Sequence, residues 1–196
     1  MFKAFVLTLF KLCGWKAEGH FPEEIHKCVV VGAPHTSNFD LIFAMAGFYK
    51  VKMPVKYLIK QEWLDFWPLR KILKGSGAIG IKRDRNRSMV DTLANTITSY
   101  PGRIALLITP EGTRKLTKVW KTGFYQAALK AKVPIVLTHL DYATKTAAVA
   151  EHFFPSGCYK RDMQILRNHY KNITARYPEN FSLQIYSNDE DSICQA

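Results

Sequence analysis

The chain has 196 residues, enough for one domain with its own core and short of what two would need. Hydrophobic residues at 47% and charged residues at 22% are close to ordinary globular usage, which speaks against disorder for the bulk of the chain. The formal charge of +12 points to anionic partners: nucleic acid, anionic lipid headgroups or phosphorylated small molecules.

In chain order, the N-terminus places Phe2, Phe5, Val6, Leu9, Phe10, Leu12 and Cys13 on one helical face, with Lys3, Thr8 and Lys11 off it. That pattern predicts an interfacial amphipathic helix over residues 1–15, with Trp15 at its end. A helix packed on the protein's own core is the plainer reading. No run of ~18 apolar residues predicts a standard transmembrane helix. A β-branched run at 27–33, ended by Pro34, reads as a strand, and 39–50 as a helix. Residues 55–59 read as a strand, 63–73 as a helix interrupted at Pro68, and 77–81 as a short strand. Helical spacing from Met89 to Ile97 stops at Tyr100-Pro101-Gly102. Residues 104–109 form a strand, 124–131 a helix, 133–140 and 147–154 strands, and 160–173 a helix. Strands alternating with helices predict an α/β fold: a mixed, mostly parallel sheet flanked by helices, with the amphipathic helix in front. Residues 16–186 then form one domain, and 187–196 an acidic flexible tail. Four cysteines, Cys13, Cys28, Cys158 and Cys194, have no zinc-site spacing, which suggests reduced thiols.

Three loops follow predicted strands, where α/β sheets gather their ligands. In Pro34-His35-Thr36-Ser37-Asn38-Phe39-Asp40, the aspartate falls in the first helical turn and can fold back onto the imidazole. A carboxylate on one ring nitrogen leaves the other able to accept a proton, which makes a general base. Ser37 and Asp40 also read as a simple helix cap, and His35 as a surface loop residue. The second loop, from Gly77 to Arg87, brings Lys82, Arg83, Arg85 and Arg87 together, either as a phosphate site or as a solvated basic turn. The third is Thr109-Pro110-Glu111-Gly112-Thr113-Arg114. There Gly112 permits a tight turn, Thr113 and Arg114 can donate to a phosphate or oxyanion, and Glu111 can fix Arg114 or bind a hydroxyl. A Pro-Glu-Gly turn without a ligand is the alternative. Together the loops offer a base, arginines and a glycine turn on one rim, which suits a phosphate-bearing substrate with a nucleophilic hydroxyl.

These residues, in this order, resemble the glycerolipid acyltransferase family, whose best-known members are the lysophosphatidate acyltransferases. The H-x4-D motif is His35 to Asp40, with Ser37 at a small polar position. G-x-I-x-I-x-R is Gly77, Ile79, Ile81 and Arg83; P-E-G-[TS]-R is Pro110 to Arg114. A looser V-P-I-V stretch is Val133 to Val136. Pro34 stands where many members have Asn, and Leu137 where many have a second proline. The resemblance implies that His35 deprotonates an acceptor hydroxyl, which attacks the thioester of an acyl donor. It implies that Asp40 orients His35, that Arg83 and Arg114 hold the acceptor phosphate, and that Glu111, Gly112 and Thr113 shape the site. It implies no metal or bound cofactor; acyl-CoA or acyl carrier protein is a co-substrate. The implied acceptor is lysophosphatidate or another lysophospholipid, with a lyso-ornithine lipid as alternative. The implied place is the cytoplasmic face of the inner membrane, peripheral or monotopic on an anionic surface. A basic nucleic-acid-binding module is the competing class; no familiar nucleic-acid signature supports it, and none of these partners is nucleic acid.

Overall fold

The computed structural model describes residues 2–81 and 88–185. Seven strands form one sheet: β1 (Lys16–Glu18), β2 (Lys27–Gly32), β3 (Val55–Lys60), β4 (Ala78–Ile81), β5 (Ile104–Ile108), β6 (Ile135–Asp141) and β7 (Thr146–Phe153). Their spatial order is β1-β7-β6-β2-β5-β3-β4. β2 is central, paired in parallel with β5 and β6, and β3 pairs in parallel with β5 and β4. The β6–β7 pair is antiparallel, and β1 adds to β7 in parallel. Five strands therefore point the same way, and the loops after β2, β4, β5 and β6 leave from one rim.

The β2 sequence KCVVVG is apolar without alternation because both of its faces are covered. Val29 and Val31 join Ile104, Leu106, Ile135 and Leu137 on one face. That face packs under α5 (Met89–Ser99), α6 (Gly123–Ala131) and α7 (Tyr159–Tyr170). Cys28, Val30, Ala105 and Val136 occupy the other face, under Met45 and Phe48 of α2 (Phe39–Lys50). Tyr170, fully buried in the first layer, donates its hydroxyl to the carbonyls of Val31 and Thr138, both at 3.1 Å. It thereby pins α7 to the ends of the two strands that carry the site.

The N-terminal helix α1 (Phe2–Leu12) forms as its spacing predicts. Val6 and Phe10, on the face expected to meet lipid, are instead packed against Phe43, Ala46 and Leu140, while Phe5 and Leu12 stay exposed. Among the described residues, no helix is long and apolar enough to cross a membrane. The predicted helix at 63–73 divides into α3 (Gln61–Asp65) and α4 (Trp67–Gly75). The break falls at Phe66, whose backbone is extended. Pro68 does not interrupt a helix: it lies in the first turn of α4, where the missing N–H has no intrahelical acceptor to lose. β1 was not anticipated, since three residues, KAE, have no apolar pattern. α7 ends at Tyr170 rather than at 173, and a short 3-10 turn follows at Pro178–Asn180. Cys13 and Cys28 are free thiols, but Cys158 is disulfide-bonded, against the expectation that all four are reduced. The acidic tail at 187–196 lies outside the described residues.

Candidate active site

β2 delivers Ala33-Pro34-His35 to the rim, and α2 starts at Phe39 with Asn38 as its N-cap. The five-residue spacing brings the Asp40 carboxylate back under the loop. Its Oδ2 accepts the backbone N–H groups of Thr36 and Ser37, both at 2.8 Å, and lies 3.2 Å from His35 Nδ1. Its Oδ1 accepts the Tyr142 hydroxyl at 2.7 Å. One oxygen thus both orders the loop before α2 and holds the ring. Ser37 is buried, and its hydroxyl accepts the Phe39 N–H at 3.1 Å, so its side chain belongs to the helix start. Asp40 is 4% exposed, yet each oxygen has short donors, as a buried polar group requires.

Glu111 reaches the same loop from β5. It is 4% exposed, and both carboxylate oxygens lie 3.1 Å from the His35 backbone nitrogen, which donates to them. Of the two expectations for Glu111, a contact with Arg114 is not what the structure shows: its carboxylate is bonded to the backbone of the histidine. Burial raises its pKa from 4.5 to about 7, against the opposing pull of the His35 N–H. Gly112 has φ +67°, and a Cβ there would meet the Lys121 side chain at 2.6 Å. Its N–H donates to the Thr109 carbonyl, which closes the turn. Thr113 and Arg114 are exposed beyond that turn. The Thr113 hydroxyl accepts the Lys115 N–H, and Arg114 donates to the Asn38 side-chain carbonyl across the rim. Arg83, with the rest of the basic cluster at 82–87, lies outside the described residues.

His35 and Arg114 border one cavity of about 460 Å³ between α2 and the sheet. Asn38, Asp40, Thr109, Thr138 and His139 also line it; the rest of its wall is largely apolar, with Ala44, Phe48, Leu107, Ala147 and Val149 among its residues. Gly47 of α2 faces this wall so closely that an added Cβ would lie 2.8 Å from the Ala147 methyl. With Nδ1 on Asp40, the ring nitrogen of His35 left for a ligand is Nε2. The volume falls within the ~300–1,000 Å³ usual for small-molecule sites.

Sequence reasoning missed Tyr142 and Arg176. Tyr142 follows β6 on the same rim, and its phenol is held between the Asp40 carboxylate and the edge of the Trp15 ring, 4.9 Å between centroids. Burial and then the Asp40 carboxylate raise its pKa, so it stays a donor. Arg176 lies over the Phe39 ring at 4.3 Å and beside Tyr142. Strand-end position could have flagged Tyr142; no pattern in the sequence marks Arg176.

Glu111 makes stability depend on pH in a definite direction. The folded carboxyl keeps its proton to about pH 7, whereas the unfolded one loses it near 4.5. The native state binds the extra proton in that window, so stability is fully present below 4.5 and falls as pH rises through 7. At ~1.4 kcal/mol per unit, the fall is roughly 3 kcal/mol. Glu111→Gln should remove that part of the fall, read as urea midpoints at about pH 5 and about pH 8. A variant with the wild-type dependence would place the titration elsewhere.

Comparison with known proteins converges on the same segment. The family model described as Acyltransferase matches residues 16–139, well over half of the chain. A probable 1-acyl-sn-glycerol-3-phosphate acyltransferase of Mycoplasma pneumoniae is 35% identical over 121 residues, 59% of this chain. The match spans 45% of that relative, less than half its length. On the family match, which takes in the His35–Asp40 loop, β5 and the Glu111–Arg114 turn, the chain belongs to the acyltransferase family.

Proposed function

We propose that the chain transfers a fatty acyl group from a thioester donor, acyl-CoA or acyl carrier protein, to the free hydroxyl of lysophosphatidate, giving phosphatidate. The observation that carries this reading is an Asp40-held imidazole at the polar end of an apolar cavity. The M. pneumoniae relative's name supports the choice of acceptor.

In this reading His35 Nε2 takes the proton as the acceptor oxygen attacks the thioester carbonyl carbon. Asp40 keeps the proton of Nδ1 in place and stabilises the imidazolium. Collapse of the tetrahedral intermediate breaks the C–S bond, and the departing sulfur receives the proton from Nε2. The substrate hydroxyl is the nucleophile, so no acyl-enzyme is required. Arg114, at the cavity mouth beside Asn38, is the cation for the acceptor phosphate. Arg83 is assigned the same task on the resemblance of its motif alone. Glu111 works through the backbone of His35 and is a positioning residue. The apolar wall of the cavity takes the acyl chain, and a dry wall also keeps water from competing for the thioester.

Purified protein, a labelled acyl thioester and a panel of lyso-lipid acceptors with and without phosphate test this. His35→Ala should lose at least ~100-fold in turnover, in keeping with general-base removal. Near-normal transfer in that variant would remove His35 from the chemistry, and indifference to phosphate would remove lysophosphatidate. Ala44→Leu fills part of the cavity wall and should shift donor preference to shorter chains. An unchanged chain-length profile would place the acyl chain elsewhere.

A further inference from the structure

α3 and α4 are the part of the fold whose apolar side chains the core does not take. Leu64 alone is buried, anchoring α3 over Gly80 of β4. α4 has no buried residue. Trp63 is 56% exposed and Trp67 82%, and Phe66 and Ile72 stand beside them in water. A soluble surface seldom gathers two indoles, a phenyl and an isoleucine within ten residues. The cations gather on α4: WPLRKILKG carries Arg70, Lys71 and Lys74 and no carboxylate, whereas α3 carries Glu62 and Asp65. Indole rings with flanking cations are the composition that settles at a lipid–water boundary, with rings at headgroup depth and cations on lipid phosphates.

Position supports the same occupant. α3 starts directly after β3, whose Tyr57, Leu58 and Ile59 border the cavity. The Tyr49 hydroxyl of α2 donates to the Gly75 carbonyl at the end of α4, so α3–α4 lies on the α2 side of the sheet. Phe39 and Leu41 of α2 are exposed as well, and Leu41 also borders the cavity. α1, by contrast, spends Val6 and Phe10 on the core.

We propose that α3–α4 docks the protein on an anionic lipid surface. Trp63, Phe66, Trp67 and Ile72 enter the headgroup–acyl boundary, and Arg70, Lys71 and Lys74 rest on lipid phosphates. The cavity then opens beside the lipid layer, from which a lyso-lipid acceptor is drawn; this last clause rests on the proposed function, whereas the docking does not. Charge complementarity selects anionic lipid over a second copy of this chain, which has the same +12 charge.

Trp15 and Trp120 are buried, so the lipid-accessible indoles are Trp63 and Trp67. Full-length protein is mixed with phosphatidylcholine vesicles, with and without phosphatidylglycerol, whose acyl chains carry bromine as a quencher. Expected are binding that requires phosphatidylglycerol, and quenching lost in Trp63→Phe/Trp67→Phe. Trp63→Ser/Trp67→Ser should weaken vesicle affinity at least ~10-fold, and Arg70→Gln/Lys71→Gln/Lys74→Gln roughly 100-fold. Both variants should keep wild-type transfer to a detergent-dispersed acceptor. Wild-type affinity in the variants, no binding by the wild type, or a dimer that the serine variant dissociates would each overturn the docking. Binding through α3–α4 with no transfer to any dispersed acceptor would leave the docking standing and sink the proposed function instead.

Discussion

The site rests on one carboxylate taken out of water. Asp40 is nearly inaccessible, and burying a carboxyl group is costly unless its oxygens are hydrogen-bonded. They are filled by two backbone N–H groups, the His35 ring and the Tyr142 phenol. Each of those bonds also fixes something else. The N–H groups set the loop at the start of α2, the ring bond sets the orientation of the imidazole, and the phenol ties β6 to β2's loop. Loss of the carboxylate would therefore disturb geometry as well as proton transfer.

Glu111 shows the complementary case. Its oxygens have a single backbone donor at short range, and dehydration wins, raising its pKa to about 7. Two carboxyl groups within one site thus have different environments: Asp40 is satisfied by donors from two chain segments, the loop after β2 and Tyr142 after β6, and Glu111, among the described residues, by the His35 N–H alone. Their common target is His35, gripped at its ring by one and at its backbone by the other. The sheet makes this possible, because β2 and β5 are adjacent and parallel and end on the same rim.

Much of this was legible in the sequence because it is local. Apolar runs ended by proline marked β2 and β5, and the five-residue step from His35 to Asp40 brings the two side chains together across one helical turn. The contacts that sequence reading missed are long-range or involve the backbone. Tyr142 is 102 residues from Asp40, and the Glu111 contact, 76 residues away, ends on a main-chain N–H that every residue but proline has. β7 could be read as a strand, but its antiparallel direction depends on the short 142–145 turn rather than on its own composition. The division of 61–75 into two short helices was hidden because Pro68 drew the break to itself, while the extended residue is Phe66.

The central claim is that Asp40 holds His35 with Nδ1 protonated and Nε2 bare toward the cavity. Nitrogen NMR of protein labelled in its six histidines, with the His35 signal identified through His35→Gln, reads the tautomer directly. The account predicts an Nδ1–H tautomer for neutral His35 that becomes a mixture in Asp40→Asn. A neutral ring protonated on Nε2 in the wild type would contradict it, because the nitrogen facing the cavity could then accept no proton.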